Sequence, residues 1–221
     1  MNTIPERIAA KTEIFRKMLD QFGAELRVAS PGIIQSFDSA KQTVTVQIAI
    51  REKINIDGVL SWREVPILVD VPIFMPRSGG YIITLPINKG DECLVIFGDN
   101  CMDAWWQSGG AQNQIDKRRH DLSDGFAIIG IWNQTKTIEG YAESSIQVRN
   151  EPGDTYIEIS DKTINLVADA INITARNNIN VHAQSNIDIA ANNNTVIEKR
   201  NFVTHEHILV QTGKDDTGPV L

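Results

Sequence analysis

Residues 156–190, YIEISDKTINLVADAINITARNNINVHAQSNIDIA, carry the most informative pattern in this 221-residue chain. The residues between its apolar positions are mostly Asn, Asp, Ala and Ser, which favour tight turns. The segment is therefore an internal repeat of very short strands joined by turns. Pairs of apolar residues separated by one other residue recur along the segment. The first residues of successive pairs are 7, 7, 8 and 8 positions apart: Ile157/Ile159, Ile164/Leu166, Ile171/Ile173, Ile179/Val181 and Ile187/Ile189.

Each predicted strand of the repeat has apolar side chains on one face and polar side chains on the other, because side chains alternate along a strand. A single chain built this way cannot close a core, and it leaves the edges of its sheet unpaired. Three identical chains wound about a common axis would turn every apolar face inward and pair every edge. The alternative is a monomeric β-solenoid, whose rungs usually take about eighteen residues or more. The short, steady step favours the intertwined homotrimer, a β-helix or β-prism.

Between residues 31 and 132 the apolar period changes to two, which is typical of strands with one exposed face. Residues 32–37 and 44–50 flank the turn residues 38–41, and this arrangement predicts a hairpin. Five or six strands in about a hundred residues, without a helix-length crossover, favour a small closed or nearly closed barrel of the OB type. A β-sandwich is the alternative. The further short strands are expected at 60–65, 81–86, 92–97 and 126–131.

The first segment is predicted to be one helix. Thr3 and Glu6 form a capping box, and Pro5 lies in the first turn, where its missing N–H costs nothing. Gly23 offers a C-terminal stop. The polar face carries acidic as well as basic residues, so we expect the helix to dock on protein rather than on a membrane surface. Apolar residues recur at helical spacing along it: Ile8, Phe15, Met18, Leu19 and Phe22.

The composition excludes several classes of protein. No run of about eighteen apolar residues and no apolar leader is present, so we expect no membrane-spanning helix, no secretory signal, and assembly in a cytoplasm. The formal net charge of -7 gives no basic surface for nucleic acid. Cys93 and Cys101 lack metal-binding spacing and are predicted to be free thiols. Without a Gly-rich phosphate loop or an HExxH motif, no small-molecule substrate is expected.

A candidate metal site lies near the end of the chain, where His205 and His207 flank Glu206. On a strand, the two imidazoles point to the same side. In a trimer whose inward face continues through this strand, six imidazoles meet at the threefold axis and must stay neutral around a metal or turn to solvent. Six nitrogens in two triangles form an octahedron, which suits Fe(II), Ni(II) or Co(II) better than tetrahedral Zn(II). Such a saturated ion would be structural.

Two other segments contain residue types found in functional sites. His120, Asp121 and Ser123 are of the types that hydrolases use, but a nucleophile also needs an orienting partner and an oxyanion hole. A strand is predicted to start directly after them, so a turn with capping hydrogen bonds is the favoured interpretation. Trp105 and Trp106 could stack on sugars or bases, but we expect them to pack at the barrel edge or between subunits.

Several segments of the chain resemble a known family. Residues 90–97 (GDECLVIF), 103–105 (DAW) and 119–130 (RHDLSDGFAIIG) resemble the N-terminal OB-fold domain of the membrane-piercing central baseplate spikes of contractile-tailed bacteriophages. The C-terminal end is similar to the tip of the same family, because an HxH pair precedes Gly213 and a Thr-Gly-Pro segment at 217–219.

The resemblance implies a homotrimeric virion protein without enzymatic activity, at the tip of the tail baseplate. Its apex opens the host outer membrane when the sheath contracts, and its other end contacts hub and tail-tube proteins. One iron ion per trimer is held by His205 and His207 of three chains. Two alternatives are a trimeric receptor-binding tail fibre, which would need a carbohydrate-binding domain beyond the histidines, and a hydrolase that uses residues 119–124. The chain is thus predicted to contain a helical segment (1–29), which lies outside the resemblance, followed by an OB-fold domain (30–133), a triple-stranded β-helix shaft (134–200) and the metal-binding apex (201–221).

Overall fold

The computed structural model describes residues 4–56, 58–192, 196–197 and 200–201, and the chain divides into two compact units, Met1–Tyr141 and Ala142–Leu221. Neither described helix has the length and apolar character that a bilayer crossing requires. The first unit contains α1 (Ile4–Glu25), β1 (Ala29–Asp38), β2 (Thr43–Ile48), β3 (Glu52–Ile56), β4 (Val59–Arg63), β5 (Leu68–Pro72), β6 (Arg77–Ser78), β7 (Tyr81–Ile82), β8 (Glu92–Phe97), α2 (Asp103–Ser108), β9 (Gly125–Ile129) and a 3-10 turn (Gln134–Lys136). The second contains β10 (Ile146–Arg149), β11 (Tyr156–Ile159), β12 (Ile164–Val167), β13 (Val196–Ile197) and β14 (Arg200–Asn201).

The main sheet of the first unit is curled and antiparallel, with the strand order β5-β2-β1-β8-β9. The long strand β1 lies at its centre and pairs with β2 on one side and β8 on the other. A parallel bridge between Ile73 and Ala127 joins the end of β5 to β9, and the N–H of Phe74 donates to the carbonyl of Ala127 at 2.8 Å. The two edge strands therefore meet, and the sheet curls around the side chains of its inner face.

The inner face of the curled sheet holds the hydrophobic core of the first unit. A Cβ atom at Gly32 would stand 2.4 Å from Cγ1 of Val46, so a side chain on β1 at this point would push β2 away. Burial raises the pKa of the Cys93 thiol to about 11, which keeps it protonated at neutral pH. Cys101 is also buried, and both thiols are free, as predicted. The buried core side chains are Ile34, Val44, Val46, Ile48, Val65, Leu68, Val71, Cys93, Val95, Phe97 and Ala127.

Several predicted elements of this unit are confirmed. The hairpin around residues 38–41 joins β1 to β2, and Asp38 caps its turn by accepting hydrogen bonds from the N–H groups of Ala40 and Lys41. The strand predicted at 92–97 is β8, and the strand predicted at 126–131 is β9, which begins one residue earlier and ends two residues earlier. These segments alternate regularly because one face of each lines the core.

Other predictions about this unit are wrong in their bounds or incomplete. α1 continues two residues past Gly23, because glycine inside a helix costs only about 1 kcal/mol and the hydrogen-bond ladder runs on to the N–H of Leu26. The strand expected at 81–86 shrinks to the two residues of β7, paired only with β6. The strand expected at 60–65 is β4, which pairs with the unpredicted β3 outside the curled sheet. β5 and the six-residue α2 were also not predicted, because both are too short to show a clear period.

The second unit contains a three-stranded antiparallel meander of β10, β11 and β12. Its strands pair in continuous four-residue registers. The side-chain oxygen of Asn150 builds the first turn by accepting hydrogen bonds from the N–H groups of Gly153 and Thr155. The first two predicted repeat strands, at 157–159 and 164–166, are confirmed as β11 and β12, and β10 precedes them. β13 and β14 form a separate antiparallel pair.

Candidate functional site

One face of the meander in the second unit is apolar and exposed. Directly opposite residues of neighbouring strands point to the same side of a sheet, and so do residues two apart on one strand. Six apolar side chains therefore share one face, and they are between 47% and 71% exposed. They form two rows across the three strands: Ile146–Ile159–Ile164 and Val148–Ile157–Leu166. We refer to these six residues as the apolar ladder.

The opposite face of the meander is polar and is organised by Glu158. Its carboxylate accepts hydrogen bonds from the hydroxyl of Ser145 at 2.7 Å and from the side-chain amides of Gln147 at 2.9 Å and Asn165 at 3.1 Å. These donors, Ser145 first, hold the pKa of Glu158 below its usual range. One side chain of the central strand thus joins both neighbouring strands by hydrogen bonds on the polar face. The side chains of the apolar ladder have no groups that can form such bonds.

After β12 the apolar pairs of the repeat continue, but strand pairing stops. Residues 168–192 form no strand with any other segment that the structure describes. An extended backbone with alternating side chains normally has partners for its N–H and carbonyl groups in a neighbouring strand. The apolar side chains of this stretch are 52% to 76% exposed: Ile171, Ile173, Ile179, Val181, Ile187 and Ile189. Strand partners and apolar cover for this stretch would therefore have to come from outside the described chain.

The predicted metal ligands His205 and His207 lie outside the described residues. The prediction of an iron ion at the apex therefore stays a prediction. Among the residues that are described, one group of ligand types lies close together, namely Cys101, Asp103 and Asp124, whose ligand atoms are within 4.8 Å of one another. This group already has a cation, which is the guanidinium of Arg118.

Arg118 is the centre of an ion-pair cluster that holds α2 against the segment before β9. Its guanidinium donates to Asp103 at 2.7 Å, to Asp124 at 3.1 Å and to the sulfur of Cys101 at 3.1 Å. The side chain of Asp124 is fully buried, and it also accepts a hydrogen bond from the N–H of Met102. Hydrogen bonds from Arg118 lower the pKa of Asp103. This cluster was not predicted from the sequence, because nothing in the local spacing distinguishes Arg118 from the basic residues on either side of it.

The segment with hydrolase-type residues forms a turn, as the sequence pattern indicated. Asp121 accepts hydrogen bonds from both the N–H and the hydroxyl of Ser123, at 2.9 and 2.6 Å, and these bonds lower its pKa. His120 has a left-handed backbone with φ of 49°, and its Nε2 lies 3.4 Å from a carboxylate oxygen of Asp99. The Ser123 hydroxyl thus donates to a neighbouring carboxylate in a turn and not to an imidazole base, which is not the arrangement of an activated nucleophile.

The outer face of the curled sheet carries an open apolar groove of about 770 Å³. Trp105 and Trp106 on α2 line it, and Phe126 meets Trp105 edge-on with ring centroids 5.9 Å apart. We call this groove the aromatic groove. A separate cavity of about 250 Å³ shares Phe74 and Met75 with it but lies on the core side of the sheet, against Phe37 and Ile129. The two tryptophans are 46% and 44% exposed and therefore remain available for packing against a partner.

Comparison with known proteins bears on the first unit. Residues 30–130 match the family model described as the phage protein Gp138 N-terminal domain. The matched range contains the curled sheet, α2, the Arg118 cluster and the turn at 119–124. No curated protein matches the chain. The match supports a phage structural protein of the baseplate or spike type, associated with the virion, and it points to a role that is not enzymatic.

Proposed function

We propose that this chain is the protomer of a homotrimeric central spike, located at the baseplate tip of a contractile phage tail, that pierces the host outer membrane when the sheath contracts. The observation that carries the proposal is the exposed apolar surface of the second unit. The side chains of the apolar ladder are 47% to 71% exposed, and the apolar side chains of the unpaired repeats are 52% to 76% exposed. Both sets need apolar partners of matching shape.

Copies of the same chain are partners of that shape. Two copies stacked on their apolar ladders would bury the isoleucines but would leave residues 168–192 without strand partners. Three chains wound about one axis give each extended segment a neighbour from another chain and turn the apolar pairs toward a shared interior. The apolar side chains are then buried, and the backbone N–H and carbonyl groups of residues 168–192 have hydrogen-bond partners. Because two chains would meet only the first of these requirements, we favour three chains.

The first unit supports the same proposal. Its five antiparallel strands form a curled sheet whose edges meet through a parallel bridge between Ile73, after β5, and Ala127 of β9, and this supports the assignment to an OB-type barrel. Barrels of this type often bind oligonucleotides, but the net charge of -7 offers no attraction for phosphate backbones. We therefore assign the barrel to contacts with the hub and tube proteins of the tail.

At the other end of the spike, we assign His205 and His207 of three chains to one iron ion. Imidazole nitrogens are good ligands for divalent transition metals, and six of them fill an octahedron. An ion held this way has no open position for water or substrate, so it acts as a cross-link between chains. This assignment agrees with a mechanical rather than a catalytic function.

The mechanical role follows from how the shaft is held together. In the proposed trimer the apolar ladders form the interior, and the polar face carries the hydrogen bonds of Glu158 to both neighbouring strands. Chains that are wound around one another have to separate together, so unfolding under load has a high barrier. A thin rod of this kind can transmit the force of contraction to a small area of membrane.

The test is to measure mass by light scattering and metal by elemental analysis on one purified sample. We expect about three times 24.6 kDa and one iron ion per three chains. Ile173→Asp should prevent assembly by placing three carboxylates in an apolar interior, whereas Asn172→Asp, at the polar position between the two isoleucines, should still assemble. A folded wild-type monomer, or equal behaviour of the two variants, would contradict the trimeric spike.

A further inference from the structure

The last strand of the meander, β12, has one edge without a strand partner. β12 pairs with β11 on one side, and no segment that the structure describes pairs with its other side. The backbone N–H and carbonyl groups along such an edge are a template for one more strand. The side chains that border the edge indicate which segment fits there.

A row of polar side chains crosses the meander at the middle of its strands and ends at this edge. Gln147, Glu158 and Asn165 lie directly opposite one another on β10, β11 and β12. Both amides donate to the Glu158 carboxylate, Gln147 at 2.9 Å and Asn165 at 3.1 Å. Among the described residues, none donates to the exposed amide oxygen of Asn165. The row therefore ends, beside the free edge of β12, with an unused acceptor.

The next unit of the repeat carries the complementary side chain at the equivalent place. A strand with Asn172 opposite Asn165 can donate its side-chain N–H to the unused oxygen, because an asparagine amide both donates and accepts. Ile171 and Ile173 then lie on the same face as the apolar ladder. An aspartate such as Asp188 has no donor for this oxygen. The residue inside each apolar pair is polar throughout: Gln147, Glu158, Asn165, Asn172, Asn180 and Asp188.

Its own chain is unsuited to place Asn172 opposite Asn165. In an antiparallel arrangement the chain would have to reverse within Ala168 and Asp169, and the two-residue hairpin turns favour Gly, Asn or Asp because they need positive φ. In a parallel arrangement the connection would need a dozen residues or more, and only three separate the two segments. In the single chain, residues 170–173 instead line an open cavity of about 590 Å³ with three side chains of the apolar ladder.

We propose that the free edge of β12 binds residues 171–173 of another copy as an added strand, with Asn172 opposite Asn165, so that the polar row continues from chain to chain. The inference rests on the proposed trimer, because the second copy supplies the strand. Copies related by a threefold axis have equivalent residues at equal heights along it, so the pair that follows β12 in sequence is the nearest to its edge. A slip by one residue would turn the asparagine inward and the isoleucines outward. The polar row thus aligns the chains where their winding begins.

Cysteine cross-linking on the full-length chain tests this pairing. Directly opposite residues of neighbouring strands have Cβ atoms about 4.5–5.5 Å apart, within reach of a disulfide after mild oxidation. Chains with Asn165→Cys and chains with Asn172→Cys carry different tags, are co-expressed and are purified as the oligomer. Wild type measures the background from the two buried native thiols. Asn180→Cys, at the same place in the following repeat, replaces Asn172→Cys as the matched control.

We expect a covalent two-chain species in the Asn165→Cys and Asn172→Cys mixture, a covalent three-chain species when both changes are on every chain, and neither species with Asn180→Cys. A disulfide within single chains would overturn the inference, and so would a trimer that forms no cross-link or prefers Asn180→Cys. A cross-link of Asn172→Cys to Gln147→Cys would also overturn it, by showing that the strand adds to the edge of β10. A monomeric mass overturns the proposed function itself.

Thermal unfolding gives a second measurement if the cysteine variants do not assemble. Asn165→Ala and Asn172→Ala each remove one member of the proposed hydrogen bond, and neither should prevent assembly, because the apolar residues are unchanged. In trimeric samples at one protomer concentration, the double variant should lower the melting temperature by less than the sum of the two single shifts. The matched pair Asn165→Ala and Asn180→Ala should give additive shifts. Additive shifts in both pairs would contradict the pairing of Asn165 with Asn172.

Discussion

Replacing Ile164 by alanine tests whether the apolar ladder is buried or exposed in the assembled protein. Ile164 is 69% exposed in the single chain and faces Ile159 across the β11–β12 pair. If this face stayed in water, Ile164→Ala would change the free energy of unfolding by no more than about 0.5 kcal/mol. In the interior of a trimer the same change removes a buried side chain and costs about 2–5 kcal/mol per chain, or about 6–15 kcal/mol over three equivalent sites.

The assay is thermal unfolding of the full-length protein at one fixed protomer concentration, because the melting temperature of an oligomer depends on concentration. Lys162→Ala is the control, since Lys162 is exposed in the turn two residues earlier. We expect Ile164→Ala to lower the melting temperature by many degrees and to speed chain release, while Lys162→Ala changes neither. Equal melting temperatures for the two variants would refute the burial of the ladder, and so would a large loss in a sample of monomeric mass.

Three further predictions concern His205 and His207, the Arg118 cluster and the polar face of the meander. The double change His205→Ala and His207→Ala should remove the metal in elemental analysis while light scattering still gives a trimer; retained iron would place its ligands elsewhere. Arg118→Ala leaves the buried carboxylate of Asp124 without its cation and should cost about 3 kcal/mol in urea unfolding, with partial recovery in Arg118→Lys; unchanged stability would contradict the role of the cluster. The pKa of Glu158 is lowered by its donors, so its stabilising contribution is present at neutral pH and is lost as pH falls through that lowered pKa. Glu158→Gln should flatten this acid dependence of the melting temperature, and an unaltered profile would exclude the carboxylate as its source.

Local sequence patterns predicted the elements whose side chains alternate between core and solvent. The strand β8 was predicted with its observed bounds because Cys93, Val95 and Phe97 face the core in regular alternation. The β1–β2 hairpin was predicted because Asp38 is a residue that caps turns. The meander strands at 157–159 and 164–166 were predicted from apolar spacing alone, which depends only on the pleat of a strand.

The remaining features depend on contacts between residues that are distant in the chain. The Arg118 cluster joins α2 to the segment before β9, and no local spacing distinguishes this arginine from its neighbours. The aromatic groove combines side chains from α2, β9 and the segment after β5, so it exists only once the sheet has curled. α1 passes through Gly23 because the hydrogen-bond ladder outweighs a small local preference.

The absence of strand partners for residues 168–192, within the described part of the chain, also bears on the order of events after synthesis. The curled sheet of the first unit can fold in a first-order step, because its strands and core belong to one chain. The repeat can become ordered only when chains meet, so its formation in the proposed trimer depends on chain concentration. Until then, exposed isoleucines beside free edges are an aggregation hazard, and the Asn and Asp residues between the pairs limit it. In a refolding dilution series, the folding rate of the first unit should stay constant. The rate at which the repeat becomes ordered should fall with every dilution.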